Sequence, residues 1–213
     1  MNTLVKPLLE TFQTAGLIAV IFAETGLLIG FFLPGDSLLI IAGVLAATHK
    51  KTSSLPDVKL NLAIILVGCA VASVAGAQTG YLIGRKLGPT LFRRPDSKFF
   101  KHENVERAQG YFERFGPAKT IVLARFVPVV RTFANVVAGV LQMDARSFAL
   151  WNAIGGTVWT VGMIMIGYSI GNIAGIDKYL ILVIGAIIVI SVIPVVLEVL
   201  KARRERKASR EAA

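Results

Sequence analysis

The sequence predicts an all-α polytopic membrane protein: two inverted repeats, each a re-entrant helical hairpin followed by a transmembrane helix, and then a C-terminal transmembrane helix. Three observations predict it. The 213 residues are 54% hydrophobic and only 17% charged, too little polar material to coat a water-facing exterior. The chain also repeats itself, since Phe32-Leu33-Pro34 and Ala42-Gly43-Val44-Leu45 return as Phe126-Val127-Pro128 and Ala138-Gly139-Val140-Leu141. A second shared block pairs Gly80-Tyr81-Leu82-Ile83-Gly84 with Gly167-Tyr168-Ser169-Ile170-Gly171. Finally, the two copies carry opposite charges around their prolines, Glu24 and Asp36 in the first, Arg125 and Arg131 in the second. Duplication inside an apolar sequence is what a transporter with its site at the seam between halves displays.

Residues 1–14 place Leu4, Leu8, Leu9 and Phe12 at roughly helical spacing among Lys6 and Glu10, which predicts a short interfacial helix. Residues 15–48 are apolar but broken at Glu24 and at Pro34-Gly35-Asp36. Only a dozen residues separate that break from His49-Lys50-Lys51, whereas a spanning helix needs about 20. A hairpin that enters and leaves on one side is therefore predicted, tolerable at membrane depth where protein or water covers the backbone. Leu60 to Gly84 is uncharged and long enough to span, and glycines at 76, 80, 84 and 88 line up one smooth face for close helix packing. Gly167, Gly171 and Gly175 repeat that device. Its spacing, with no strand before it, excludes a phosphate-binding loop. Residues 120–143 form the second broken stretch, interrupted by Arg125, Pro128 and Arg131; 147–176 spans, and 179–197 spans back with Pro194 near its end.

Net charge is +10, with the positive residues concentrated in 85–119 and 201–213, beside apolar stretches. This points to the cytoplasmic face and to anionic lipid headgroups rather than to nucleic acid. Nine Lys or Arg in 85–119 outweigh Lys50, Lys51 and Lys59, so the span ending at Gly84 runs inward and the C-terminus is cytoplasmic. The first hairpin then lies on the outer side and the second on the inner side, which makes the repeats inverted. A single membrane domain is expected over 1–200: repeat one about 1–88, a basic amphipathic segment over 85–119, repeat two about 100–175, a final helix over 179–200, and a basic tail over 201–213. Glu10, Glu24 and the Pro34-Gly35-Asp36 turn argue against a cleaved signal peptide. The lone Cys69 supports neither a disulfide framework nor a cysteine metal site.

Four ionisable residues in apolar stretches carry the functional signal. Each costs roughly 2.5 to 3.5 kcal/mol at a helix centre, so each should face a cavity or another charge. Arg125 and Arg131 suit a phosphate clamp, because guanidinium forks make several charge-assisted hydrogen bonds to phosphate and helix N-termini add positive partial charge. Glu24 and Asp36 suit proton exchange, because burial favours a neutral carboxyl and an approaching arginine favours the ionised one. The structural alternative pairs Glu24 with Arg125 and Asp36 with Arg131 as ions that fasten the hairpin tips, or leaves Asp36 as a helix cap. Pro34, Gly35 and Pro128 are expected to break the helices. His49 and His102 lie in loops, and Trp151 and Trp159 read as packing or anchoring residues.

The string from Glu24 through Phe32-Leu33-Pro34-Gly35-Asp36, Gly80-Tyr81-Leu82-Ile83-Gly84-Arg85, Arg114-Phe115-Gly116-Pro117 and Arg125-Phe126-Val127-Pro128-Val129-Val130-Arg131 resembles the DedA family, also called SNARE-associated or VTT-domain proteins, over most of residues 15–175. That resemblance implies a bacterial inner-membrane protein with two opposed re-entrant hairpins. It also implies envelope lipid handling that depends on the proton gradient, with undecaprenyl phosphate as the cargo in some members and phospholipid scrambling in eukaryotic relatives. The acidic pair matching Glu24 and Asp36 and the basic pair matching Arg125 and Arg131 are the residues such proteins require. Ala77 departs from the expected Gly-Asp-x-x-Gly-Tyr string, which leaves the coupling ion less defined.

The resulting expectation is a transporter, not an enzyme, that flips a lipid phosphate carrier with proton coupling and needs no cofactor or metal. Its partners would be a polyprenyl phosphate or phospholipid, protons and anionic membrane lipids. Phospholipid scrambling and small-ion or proton antiport are the rivals within transport. Lipid phosphate chemistry is disfavoured because no histidine lies in an apolar segment and the acids are well separated. A non-transporting scaffold is the third class.

Overall fold

Two helices long and apolar enough to cross a membrane, residues 62–86 and 145–171, form the frame. At 1.5 Å per residue, their 25 and 27 residues exceed a hydrocarbon core of about 30 Å. The computed structural model describes residues 2–27, 35–47, 60–91, 116–125 and 128–173, with isolated positions at 110, 114, 179, 182, 184–186 and 189. The expected loop at 49–59, most of the basic segment, Pro34, most of the final helix over 179–200 and the tail over 201–213 lie outside the described residues.

Among the described residues six helices follow in order: α1 Asn2–Gly26, α2 Gly35–Ala47, α3 Leu62–Leu91, α4 Pro117–Ala124, α5 Pro128–Val140 and α6 Ala145–Gly171. Local chemistry sets several ends. The Asn61 side chain accepts from Ala63 N–H at 3.0 Å and opens α3, and Asp144 accepts from Ser147 N–H at 2.8 Å to open α6, each satisfying an amide that lacks a helical partner. Proline stands first in α4 and α5, where its missing N–H costs nothing. Sequence and structure differ at the start, since α1 runs unbroken from Asn2 to Gly26 with no separate interfacial helix over 1–14. α4 ends at Ala124 and α5 starts at Pro128.

α1 packs on α3 and α4 on α6, while α2 crosses to α6 and α5 crosses to α3. Each half thus lays its second helix on the long third helix of the other half. Glycine makes the crossings close. A Cβ at Gly43 would fall on the backbone of Ile164, and one at Gly139 on the backbone of Tyr81. Gly167 faces Ile40 as Gly84 faces Val136, and Gly171 faces Val44 as Gly88 faces Val140. Gly167 is therefore the counterpart of Gly84, not of Gly80 as the sequence match suggests. The motif match is one helical turn out of structural register, because a stripe of glycines every four residues aligns with itself at each turn.

Outward faces are apolar. Ile64, Val67 and Val71 on α3 and Leu150, Ile154 and Val158 on α6 are exposed, as a lipid-facing surface requires. Inside are two clusters: Ile21, Leu39, Ala42, Ile65, Cys69, Ala72 and Ile164 in one, Tyr81, Ile121, Ala138 and Phe148 in the other. Ile65 shares a cluster with Ile164 and Tyr81 with Phe148, so α3 and α6 run antiparallel, with a polar layer left between the clusters.

Candidate functional site

Halfway along both long helices, the polar layer encloses a cavity of about 30 Å³ lined by Glu24, Thr25, Asp36, Ser73, Arg125, Arg131, Trp159 and Thr160, with Ile21 and Leu39. All four ionisable residues singled out from the sequence meet there, brought by the end of α1, the start of α2, the turn after α4 and the first turn of α5. The space has room for about one or two waters.

Arg131 holds both acids. Its Nη2 donates to Glu24 Oε1 at 2.6 Å, and its Nη1 donates to Asp36 Oδ1. Trp159 Nε1 donates to the same Asp36 oxygen at 3.0 Å, and the Gly35 N–H hydrogen-bonds to Glu24. Gly35 is needed for space, because a Cβ there would coincide with the Glu24 carboxylate. Pro128 contributes its position at the start of α5, one turn before Arg131.

Arg125 is partnered differently. It is 7% exposed, its Nη1 donates to Ser73 Oγ at 3.2 Å, and its Nη2 donates to Asn152 Oδ1. Among the described residues its Nε has no hydrogen-bond partner. Among the described residues, no carboxylate lies within ion-pair reach of it. The one-to-one pairing weighed from the sequence, Glu24 with Arg125 and Asp36 with Arg131, is thus replaced by two acids on one arginine and two neutral acceptors on the other. The cause is depth along the helices: Arg125, in the turn that closes α4, lies against Gly155 and Gly156 of α6, whereas Arg131, one turn into α5, reaches the α1–α2 junction.

Sequence reasoning missed Ser73, Asn152 and Trp159. Uncharged polar residues and tryptophan inside an apolar span read as packing, and their only signal was lying mid-span in helices with few polar side chains. Among the described residues, no group of three or more His, Cys, Asp or Glu side chains gathers into a metal site.

Span-length helices with apolar outer faces, wrapped round a buried charged cavity, define a helical membrane protein. The chain belongs to the VTT-domain family, that of DedA: the VTT domain matches residues 33–169. It is 42% identical over 196 residues to Protein DedA of Escherichia coli strain K12, covering 92% of this chain and 85% of that one. An uncharacterized membrane protein of Mycobacterium tuberculosis is 37% identical, over 90% of this chain and 81% of its own. The inner membrane protein YqjA of Escherichia coli strain K12 is 30% identical, over 84% and 76%. No solved structure matches the chain.

Proposed function

We propose that this protein carries the phosphate head of a lipid carrier, undecaprenyl phosphate in the first instance, across the bacterial inner membrane, with protons as the coupling ion. One observation carries the reading: two guanidinium groups and two carboxylates converge on one small cavity halfway along two span-length helices. Ionisable groups at that depth are costly and mark pathways. With all four charged, the site is neutral overall. A phosphate entering it adds negative charge, and protonation of Glu24 or Asp36 offsets that addition while releasing Arg131 to the phosphate. Anion binding and proton binding then assist each other, and linkage makes that assistance reciprocal. The cavity as it stands is too small for a phosphate, so entry requires it to widen. The lipid tail stays in the bilayer.

In this reading the broken stretches around Pro34-Gly35 and Pro128 are re-entrant hairpins from opposite faces, the repeats are inverted, and the C-terminus is cytoplasmic. The exchange of α2 and α5 between the long helices supports it, because hairpins from opposite sides meet at the seam.

Parallel reconstitution into proteoliposomes tests the proposal. Gradient-dependent movement of a labelled polyprenyl phosphate headgroup is expected. Lipid movement indifferent to the pH gradient would indicate a scramblase, and ion flux without lipid movement an antiporter; either result rejects the coupled flippase.

A further inference from the structure

We propose that Asn152 is a positioning residue that keeps Arg125 an uncompensated cation, so that a phosphate monoester docks on Arg125 while Arg131 still holds Glu24 and Asp36. The inference rests on the lipid-phosphate reading and assigns the docking step within it.

Arg125 lies against two consecutive glycines of α6. A Cβ at Gly156 would stand 3.1 Å from its Nη2, and one at Gly155 3.4 Å from its Cδ. Ser73 from α3 and Asn152 from α6 hold the two ends of the guanidinium. Asn152 is itself fully buried and anchored, since its Nδ2 donates to the Val74 carbonyl at 3.0 Å. Two helices, α3 and α6, therefore converge to fix one side chain that is more than nine-tenths buried.

The chemistry of the holders is the informative part. A guanidinium keeps its proton throughout the physiological range, and burying it without a counter-charge is unfavourable. Aspartate has the shape of asparagine and would compensate that charge at position 152. The chain instead offers an amide and a hydroxyl, which orient the guanidinium without neutralising it, and leaves Nε without a hydrogen-bond partner among the described residues. An anion that widens the cavity beside Arg125, which already lines it, meets a cation with no carboxylate to displace. Arg131, by contrast, must first lose a carboxylate.

The test compares Asn152→Asp with Asn152→Ala in the detergent-purified full chain, using farnesyl phosphate as probe in calorimetry and inorganic phosphate as competitor. Asn152→Ala should weaken farnesyl phosphate binding about threefold by loosening the guanidinium. Asn152→Asp should weaken it roughly ten- to hundredfold, the worth of a hydrogen bond to a charged group, with insertion retained. A purely structural asparagine predicts the reverse order, because alanine leaves the larger void. Asn152→Asp binding within threefold of the parent, or Asn152→Ala losing as much as Asn152→Asp, overturns the inference alone. A parent that binds neither probe overturns it together with the reading beneath it. Competition by inorganic phosphate at similar concentration supports a free anion on Arg125, and farnesyl phosphate binding that inorganic phosphate does not displace supports a lipid headgroup. Should Asn152→Asp not be recovered folded, Ser73→Ala and Asn152→Ala decide: unchanged affinity in both overturns the proposal.

Discussion

Arg131 Nη2 lies 2.6 Å from Glu24 Oε1 although 107 positions separate the two residues in the chain, and the same guanidinium also binds Asp36. One cation thus keeps two carboxylates together in a low-dielectric layer. Removing it leaves two buried acids facing each other, and breaking a buried pair from one side costs about 3–5 kcal/mol. Arg131→Gln should therefore lower thermal stability in detergent sharply. Glu24→Gln combined with Asp36→Asn and Arg131→Gln should recover most of that loss, because no uncompensated charge remains, and should still fail to transport. A triple variant no more stable than Arg131→Gln would show that the three groups are not energetically linked.

Space, rather than charge, governs the crossings of α2 on α6 and α5 on α3. Gly43→Ala and Gly139→Ala each press a methyl group into a facing backbone, where no side chain can rotate aside, and should each cost about 1–3 kcal/mol. Gly16 provides the control, for nothing lies within 4 Å of a Cβ placed there. Gly16→Ala, inside α1, should be neutral or up to about 1 kcal/mol stabilising. Thermal unfolding of the three variants checks the contrast, and equal behaviour would remove close packing as the reason for the glycines.

Much of this was legible in the sequence because it depends on composition and period. Apolar length gave α3 and α6, glycine spacing gave their packing faces, and charges where charge is costly gave Glu24, Asp36, Arg125 and Arg131. What could not be read was which acid meets which base, since that depends on how far along its helix each residue sits once the helices cross. By sequence Gly80 matches Gly167 better than Gly84 does, and only the contact with Val136 assigns Gly84 instead. The neutral partners of Arg125 were equally hidden, because Asn152 and Ser73 act through position and carry no charge to betray them.

Gln142, with φ of 57°, closes α5 in a left-handed conformation. Its N–H donates to Gly139 O at 3.1 Å, and Met143 N–H donates to Ala138 O at 3.0 Å, the bonding pattern of a helix end usually given to glycine. Tyr81 then donates its hydroxyl to Met143 O at 2.5 Å and ties this turn to α3. A Cβ in that region is unfavourable by roughly 1–2 kcal/mol, partly offset by the greater freedom glycine loses on folding. Gln142→Gly should raise stability by about 0.5–1 kcal/mol with transport unchanged, since the residue is exposed and lines no part of the cavity.

Trp159 reads from sequence as an anchor, yet its indole N–H points inward to the Asp36 oxygen that also accepts from Arg131. Two donors on one oxygen hold that carboxylate in a fixed direction, and a hydrogen bond to a charged group is worth about 1.5–3 kcal/mol. Trp159→Phe keeps the ring and removes the N–H. If the donor matters only to packing, the variant should transport as the parent does. If it fixes the acid for proton exchange, headgroup movement should fall by roughly tenfold with insertion unaffected, and the loss should be specific to gradient-driven movement. Pairing Trp159→Phe with Asp36→Asn supplies the decisive control: once the carboxylate is gone, removing the indole N–H should cost nothing further in transport, whereas additive losses would place Trp159 outside the Asp36 network.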